Sequence, residues 1–199
     1  AGRIMALVAE LAANGIPIEH IDIGGGLGIA YGTQQPPPIA DYVAAICRAI
    51  PEPYRIVIEP GRSIVGDAGL LLTRVQQVKS TPAKSFAICD AAMTELIRPA
   101  LYQAVHPIVP ARRGGETRRV DVVGPVCETA DFLGRDRDLT IAAGELLAIA
   151  DCGAYAAVMA SNYNTRPRAA EILVDGSSIH VCRERESVRA LFSGEHRLP

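Results

Sequence analysis

A chain of 199 residues with 49% hydrophobic content can bury a sizeable core in one or two domains, and its formal net charge of -2 argues against a nucleic-acid or polyanion surface, which needs clustered basic charge. No apolar run approaches the length of a membrane span, and the opening Ala1-Gly2-Arg3-Ile4 has neither the charge pattern nor the cleavage site of a signal peptide. Cys47, Cys89, Cys127, Cys152 and Cys182 are odd in number, widely spaced and without a Cys-x-x-Cys pair, so a reduced, cytoplasmic setting with no metal site is expected.

There is no initiator Met, and Leu7, Val8, Leu11 and Ala12 recur at helical spacing from the start. The chain is therefore expected to begin inside a helix, as a piece of something longer. That helix, over 3–14, stops at Asn14-Gly15. A short strand over 18–23 runs into Gly24-Gly25-Gly26-Leu27-Gly28. Three glycines after a strand let the backbone approach a ligand and aim successive N–H groups at an anion such as phosphate; a plain glycine turn is the alternative. A dinucleotide fingerprint is disfavoured, because the third glycine it requires is Ile29 or Tyr31, depending on the starting glycine.

A proline-rich surface loop over 34–38 leads to an amphipathic helix over 39–50, whose apolar stripe carries Ile39, Val43, Ile46 and Ile50. Next, Ile56, Val57 and Ile58 form a β-branched run without alternation, which predicts a strand covered on both faces as in a parallel sheet. Glu59 follows at once, and Pro60-Gly61 ends the ladder and turns the chain before Arg62. Strand, glycine loop, helix, strand is a βαβ unit, so the two strands should be parallel, with both loops at their carboxyl ends, where α/β folds bind ligands.

Past Arg62 the pattern changes. Strands are predicted over 69–78, 85–90, 119–123, 145–151, 170–174 and 178–182, with Asp175-Gly176 as a hairpin turn and few helices between. The fold class is thus α/β followed by all-β, a mainly antiparallel sandwich or barrel, with domains at 1–68 and 69–199. Arg112-Arg113-Gly114-Gly115-Glu116 reads as a polar loop.

Five segments stand in one order: Asp22-Ile23-Gly24-Gly25-Gly26-Leu27-Gly28-Ile29, Glu59-Pro60-Gly61-Arg62, Leu96-Ile97-Arg98-Pro99-Ala100-Leu101-Tyr102, Gly124-Pro125-Val126-Cys127-Glu128 and Asp151-Cys152-Gly153-Ala154-Tyr155. Together they make the chain resemble the carboxy-terminal half of diaminopimelate decarboxylases, fold-type III pyridoxal-phosphate enzymes with ornithine decarboxylase and alanine racemase as distant relatives. The resemblance implies that 1–68 holds the last strands of a (β/α)8 barrel and that the cofactor is pyridoxal 5'-phosphate. It also implies a homodimer with shared active sites, acting on diaminopimelate to give L-lysine and carbon dioxide.

By the same resemblance, Gly24, Gly25 and Gly26 would cradle the phosphate, flanked by Pro60, Gly61 and Arg62. Glu59 would hold a proton on the pyridine nitrogen, which favours the ring as an electron sink. Arg62, Arg98 and Tyr102 would grip the substrate's distal carboxylate, and Tyr155 would meet cofactor and substrate. Cys127 would return a proton to the decarboxylated carbon, and Glu128 would recognise the distal amino group, both from the neighbouring subunit. Gly124-Pro125 and the following carboxylate suggest an exposed turn, where a thiol can act. Ala130 and Ala92 stand where glycine is common in the family; neither removes a chemical group.

The family's Schiff-base lysine and ring-stacking histidine lie in the half that is not present, and Lys79 and Lys84, in or beside the β part, are not expected to replace that lysine. Two other readings remain open: another amino-acid decarboxylase of this fold, such as an ornithine or arginine enzyme, or a non-catalytic remnant that binds phosphate or pyridoxal.

Overall fold

The computed structural model describes residues 2–32, 35–112 and 116–198. Gln34 of the proline-rich loop and Arg113, Gly114 and Gly115 of the polar loop lie outside the described residues. The chain forms two compact units, Ala1–Asp67 and Ala68–Pro199. Among the described residues, no helix is long and apolar enough to cross a membrane.

In the first unit, helix α1 (Gly2–Ala13) precedes strand β1 (His20–Asp22), helix α2 (Ile39–Ala49), strand β2 (Arg55–Val57) and the short helix α3 (Gly61–Val65). β1 and β2 pair in parallel with Ile21 opposite Ile56, as the βαβ order requires. Val8, Ile21 and Ile50 are the buried centre, and Ile4, Ile46 and Ile56 pack around them. Coverage on both faces of β2 is not found: Val57 is 40% and Ile58 38% exposed. The reason is geometric. Successive side chains of a strand point to opposite faces, so Val57 turns away from the core that takes Ile56, and Ile58 lies beyond the last residue of the strand. The stripe of α2 is also divided: Ile46 packs in the core, while Ile39, the first residue of the helix, is 66% exposed.

The second unit contains β3 (Leu71–Ser80), β4 (Ser85–Cys89), helix α4 (Arg98–Tyr102), β5 (Ile108–Pro110), β6 (Thr117–Val123), β7 (Phe132–Thr140), β8 (Leu146–Ile149) and the hairpin β9 (Glu171–Asp175) and β10 (Ser178–Arg183). Six of these strands form one sheet in the order β5-β8-β3-β4-β6-β7, antiparallel throughout except for the parallel pair β4 and β6. The sheet curls into a nearly closed mixed barrel. Its two edge strands approach so closely that a Cβ on Gly134 of β7 would lie 2.7 Å from Ile108 Cδ1 of β5. Val75, Ala87, Leu96, Val122, Leu133, Leu147 and Ile149 fill the interior with no exposed surface, one or more from nearly every strand. β9 and β10 pair separately around Gly176, whose φ of +56° suits the two-residue turn.

Candidate functional site

In the first unit the glycine loop and the Glu59 turn lie side by side. Ile23 N–H donates to Val57 O at 3.2 Å and Glu59 N–H donates to Gly24 O at 2.8 Å, so the pairing of β1 and β2 continues into both loops. Asp22 Oδ1 accepts the Gly24 N–H at 2.8 Å, and the Tyr42 hydroxyl of α2 donates to Gly25 O at 2.8 Å. Gly24 and Gly26 have φ of +71° and +98°, conformations that glycine alone adopts freely. At Gly25 the need is space: a Cβ there would lie 2.6 Å from Glu59 O. The Glu59 side chain is exposed, its carbonyl accepts Gly61 N–H at 2.9 Å, and Arg62 Nε is buried with no hydrogen-bond partner among the described residues.

In the second unit Cys127 and Glu128 occupy an exposed turn between β6 and β7. The turn is shaped by Asp131, only 5% exposed. Its Oδ1 accepts Met93 N–H and its Oδ2 accepts Val126 N–H, each at 2.7 Å, so one carboxylate ties the turn to the loop after β4. Gly124 leaves room for it, since a Cβ there would lie 2.4 Å from Asp131 Oδ2 and 2.7 Å from Ala92 Cα. Glu128 lines a cleft of about 610 Å³ with Pro99, Gln103, Phe132, Arg135 and Arg137. Tyr102 is 60% exposed on α4, and Tyr155, with φ of +59°, is 47% exposed.

Arg98 does not sit on a helix surface. It is 6% exposed, and its Nη1 donates to His106 Nε2 at 3.1 Å. His106 has no exposed surface, and its Nδ1 lies 2.9 Å from Ala150 O. A guanidinium only donates and a carbonyl only accepts, so the ring is the neutral tautomer with its proton on Nδ1. Burial first, and Arg98 with Arg137 after it, lower the His106 pKa, which keeps that tautomer uncharged. Cys152 lies against the same imidazole, and burial pushes its thiol up to about 12.

A family profile described as "Pyridoxal-dependent decarboxylase, C-terminal sheet domain" matches residues 13–153. The chain belongs to this decarboxylase family. It is 55% identical to a diaminopimelate decarboxylase of Pseudomonas aeruginosa and 50% identical to one of Vibrio cholerae, in each case over 99% of this chain and 48% of the relative. A crystal structure of diaminopimelate decarboxylase from Helicobacter pylori complexed with L-lysine is 38% identical over 96% of this chain and 48% of that one, with a TM-score of 0.87. The decarboxylase-family chain therefore spans about half the length of the curated relatives it matches.

In the glycine loop of this decarboxylase-family chain the three backbone N–H groups differ in what they meet. Gly24 N–H is already taken by Asp22, which leaves Gly25 and Gly26, whose N–H groups have no acceptor among the described residues. Lys79 and Lys84 both lie in the second unit. Lys84 Nζ lies 2.7 Å from Asp121, and that hydrogen bond above all raises its pKa, so it stays protonated and has no lone pair for a carbonyl. Lys79 is an exposed residue of β3.

Four residues of the decarboxylase sheet domain escape a reading from sequence. Asp131 closes the segment that begins at Cys127, and Gly124 in front of it was the only hint of a close approach. His106 sits in Val105-His106-Pro107, which shows no pattern, and its partners come from remote segments. Asn164 and Arg166 lie in a polar stretch without periodicity, yet Asn164 Nδ2 donates to Cys127 Sγ at 3.5 Å and Arg166 grips the loop after β4.

Proposed function

We propose that this chain is the carboxy-terminal part of a diaminopimelate decarboxylase, which converts meso-2,6-diaminopimelate to L-lysine and carbon dioxide in the cytoplasm. The observation that carries the reading is the junction of Glu59 N–H with Gly24 O at 2.8 Å, which holds an acid and a glycine loop at neighbouring strand ends. On this reading the first unit is the last part of a (β/α)8 barrel, 1–68, and 69–199 is the sheet domain.

Pyridoxal 5'-phosphate, when bound, supplies an electron sink for the bond that carbon dioxide leaves. Gly25 and Gly26 would donate N–H groups to its phosphate, and the backbone of Pro60 and Gly61 would border the site. Glu59 would keep a proton on the pyridine nitrogen, because a carboxylate beside it favours the charged form. The buried, unpaired Nε of Arg62 is suited to an anionic ligand group. Arg62, Arg98 and Tyr102 would hold the distal carboxylate, and Tyr155 would border cofactor and substrate.

Cys127 would donate the proton that the substrate carbon needs after decarboxylation, and Glu128 would pair with the distal ammonium group. Both would serve the neighbouring subunit of a homodimer. The Schiff-base lysine would come from the half of the enzyme beyond this chain.

The test is growth. A bacterial strain lacking its own diaminopimelate decarboxylase is given this chain joined to the amino-terminal half of the Pseudomonas aeruginosa relative. Growth without added lysine is expected. A soluble joined protein that binds pyridoxal phosphate and yet does not restore growth would overturn the reading.

A further inference from the structure

Cys127 is not a thiol standing alone on a turn. Asn164, 37 residues away in sequence, aims its amide at the sulfur, with Nδ2 3.5 Å from Sγ. Both residues are fixed to the same piece of chain, the loop after β4, whose Ala92, Thr94 and Leu96 are at most 1% exposed. On one side Asp131 ties the Cys127 turn to that loop through Met93 N–H and Val126 N–H. On the other, Arg166, two residues from Asn164, donates through Nη2 to Asp90 O at 2.6 Å and through Nε to Thr94 Oγ1 at 3.1 Å. Glu95 Oε2 lies 3.5 Å from the same Nη2, and Ser161 N–H donates to Thr94 O at 3.0 Å.

Two clamps on one rigid loop thus set the distance between an amide donor and a sulfur. Asn164 itself has φ of +56°, in the left-handed region that asparagine tolerates better than most residues. A residue with an orienting amide in a demanding backbone conformation, held by the hydrogen bonds of the half-buried Arg166, is more than a spacer.

We propose that Asn164 holds the Cys127 sulfur and stabilises the thiolate left when that thiol gives up its proton, with Asp131 and Arg166 as positioning residues. The step balances simply. The S–H bond breaks, the proton forms a C–H bond at the substrate carbon that has lost carbon dioxide, and the sulfur keeps the electron pair. The Asn164 N–H then donates to a full negative charge instead of a neutral sulfur, a bond about twice as strong. Because Cys127 is exposed, water can return the proton to the sulfur. The identity of the proton acceptor rests on the proposed decarboxylase function; the amide-to-sulfur pairing does not.

The experiment reads the pairing without cofactor or substrate. This chain is alkylated with iodoacetamide at one pH near neutrality, and rates are resolved by peptide, with exposed Cys47 and Cys182 as internal references and buried Cys89 and Cys152 as reporters of folding. Asn164→Gly removes the amide in a backbone conformation glycine accepts, and Asn164→Asp keeps the shape but faces the sulfur with an oxygen anion.

The Cys127 rate should fall about 3- to 10-fold in Asn164→Gly, as loss of a charge-assisted hydrogen bond requires, and further in Asn164→Asp. A role in shape alone predicts that Asn164→Asp keeps the wild-type rate, and a role as a shield predicts that Asn164→Gly reacts faster; either result overturns the proposal. If Cys89 becomes reactive in one variant, the order of the other against wild type decides. If the alkylation order holds while the joined protein makes no lysine, the decarboxylase reading fails and the pairing stands.

Discussion

Replacement of Asp131 by Asn is the sharpest perturbation of the Cys127 turn. Both carboxylate oxygens accept backbone N–H groups at 2.7 Å, one from Met93 and one from Val126, and the side chain is almost wholly buried. An amide has one acceptor oxygen, so Asn must set its NH2 against one of those N–H groups and leave a buried donor unpaired. A hydrogen bond to a charged group contributes about 1.5–3 kcal/mol and an unpaired buried donor costs about 1–3 kcal/mol, so a loss of roughly 3 kcal/mol is expected. For a chain of this size that is a fall of roughly 6–12 °C in Tm.

Thermal and urea unfolding followed by circular dichroism measure it. The Gly124→Ala variant tests the same geometry from the other side. Its Cβ would lie 2.4 Å from Asp131 Oδ2, so it should cost less in an Asp131→Ala background than in wild type, with a coupling of about 1 kcal/mol or more. The residual contact with Ala92 Cα, at 2.7 Å, keeps the relief partial. An Asp131→Asn chain within about 0.5 kcal/mol of wild type, or strictly additive costs at 124 and 131, would refute the clamp.

Other outcomes follow from the same structure. His106 is neutral in the fold and has its pKa lowered from 6.5, so the unfolded chain binds the extra proton first and stability is lost as pH falls below about 6.5. Its neighbours Arg98, Arg137, Asp151 and Cys152 all face it, and urea midpoints for wild type against His106→Gln between about pH 7.5 and 5.5, above the carboxylate range, should show the steeper decline in wild type. In the native chain Cys47, Cys127 and Cys182 should alkylate while Cys89 and Cys152, both pushed up to about 12 by burial, should react about a thousandfold more slowly; mass spectrometry of the labelled chain reads this, and prompt labelling of Cys89 would contradict the described core. Gly25→Ala must displace the Glu59 backbone, at a cost of about 1–3 kcal/mol, and should weaken pyridoxal phosphate binding by the joined protein roughly tenfold or more in an absorbance titration.

The paired strand ends were legible because glycine and proline punctuate them: Gly24-Gly25-Gly26 and Pro60-Gly61 mark where two strands must end, and the βαβ order makes those strands parallel. The sheet domain was legible only in its apolar strands. β7 carries Arg135-Asp136-Arg137-Asp138, charges that hide a strand, and Asp136 breaks the ladder with φ of +53° while its N–H donates to Asp121 Oδ1. β5 is three residues bounded by prolines, below what periodicity can detect, although with β7 it brings the barrel near closure. The burial of Arg98 has no mark in the local pattern around it. What takes it inside is His106, and what orients His106 is Ala150 O, 44 residues further on. Local sequence states which residues can act; long-range polar pairing decides which of them are held still.

On the proposed function, the 98–102 and 127–128 segments would give a decarboxylase its selectivity for diaminopimelate. The most direct measurement is carbon dioxide release by the purified joined protein from meso-2,6-diaminopimelate and from L-ornithine, each at subsaturating concentration with pyridoxal phosphate present. Strong preference for diaminopimelate, with L-lysine as product, is expected. Equal or greater release from ornithine would contradict it.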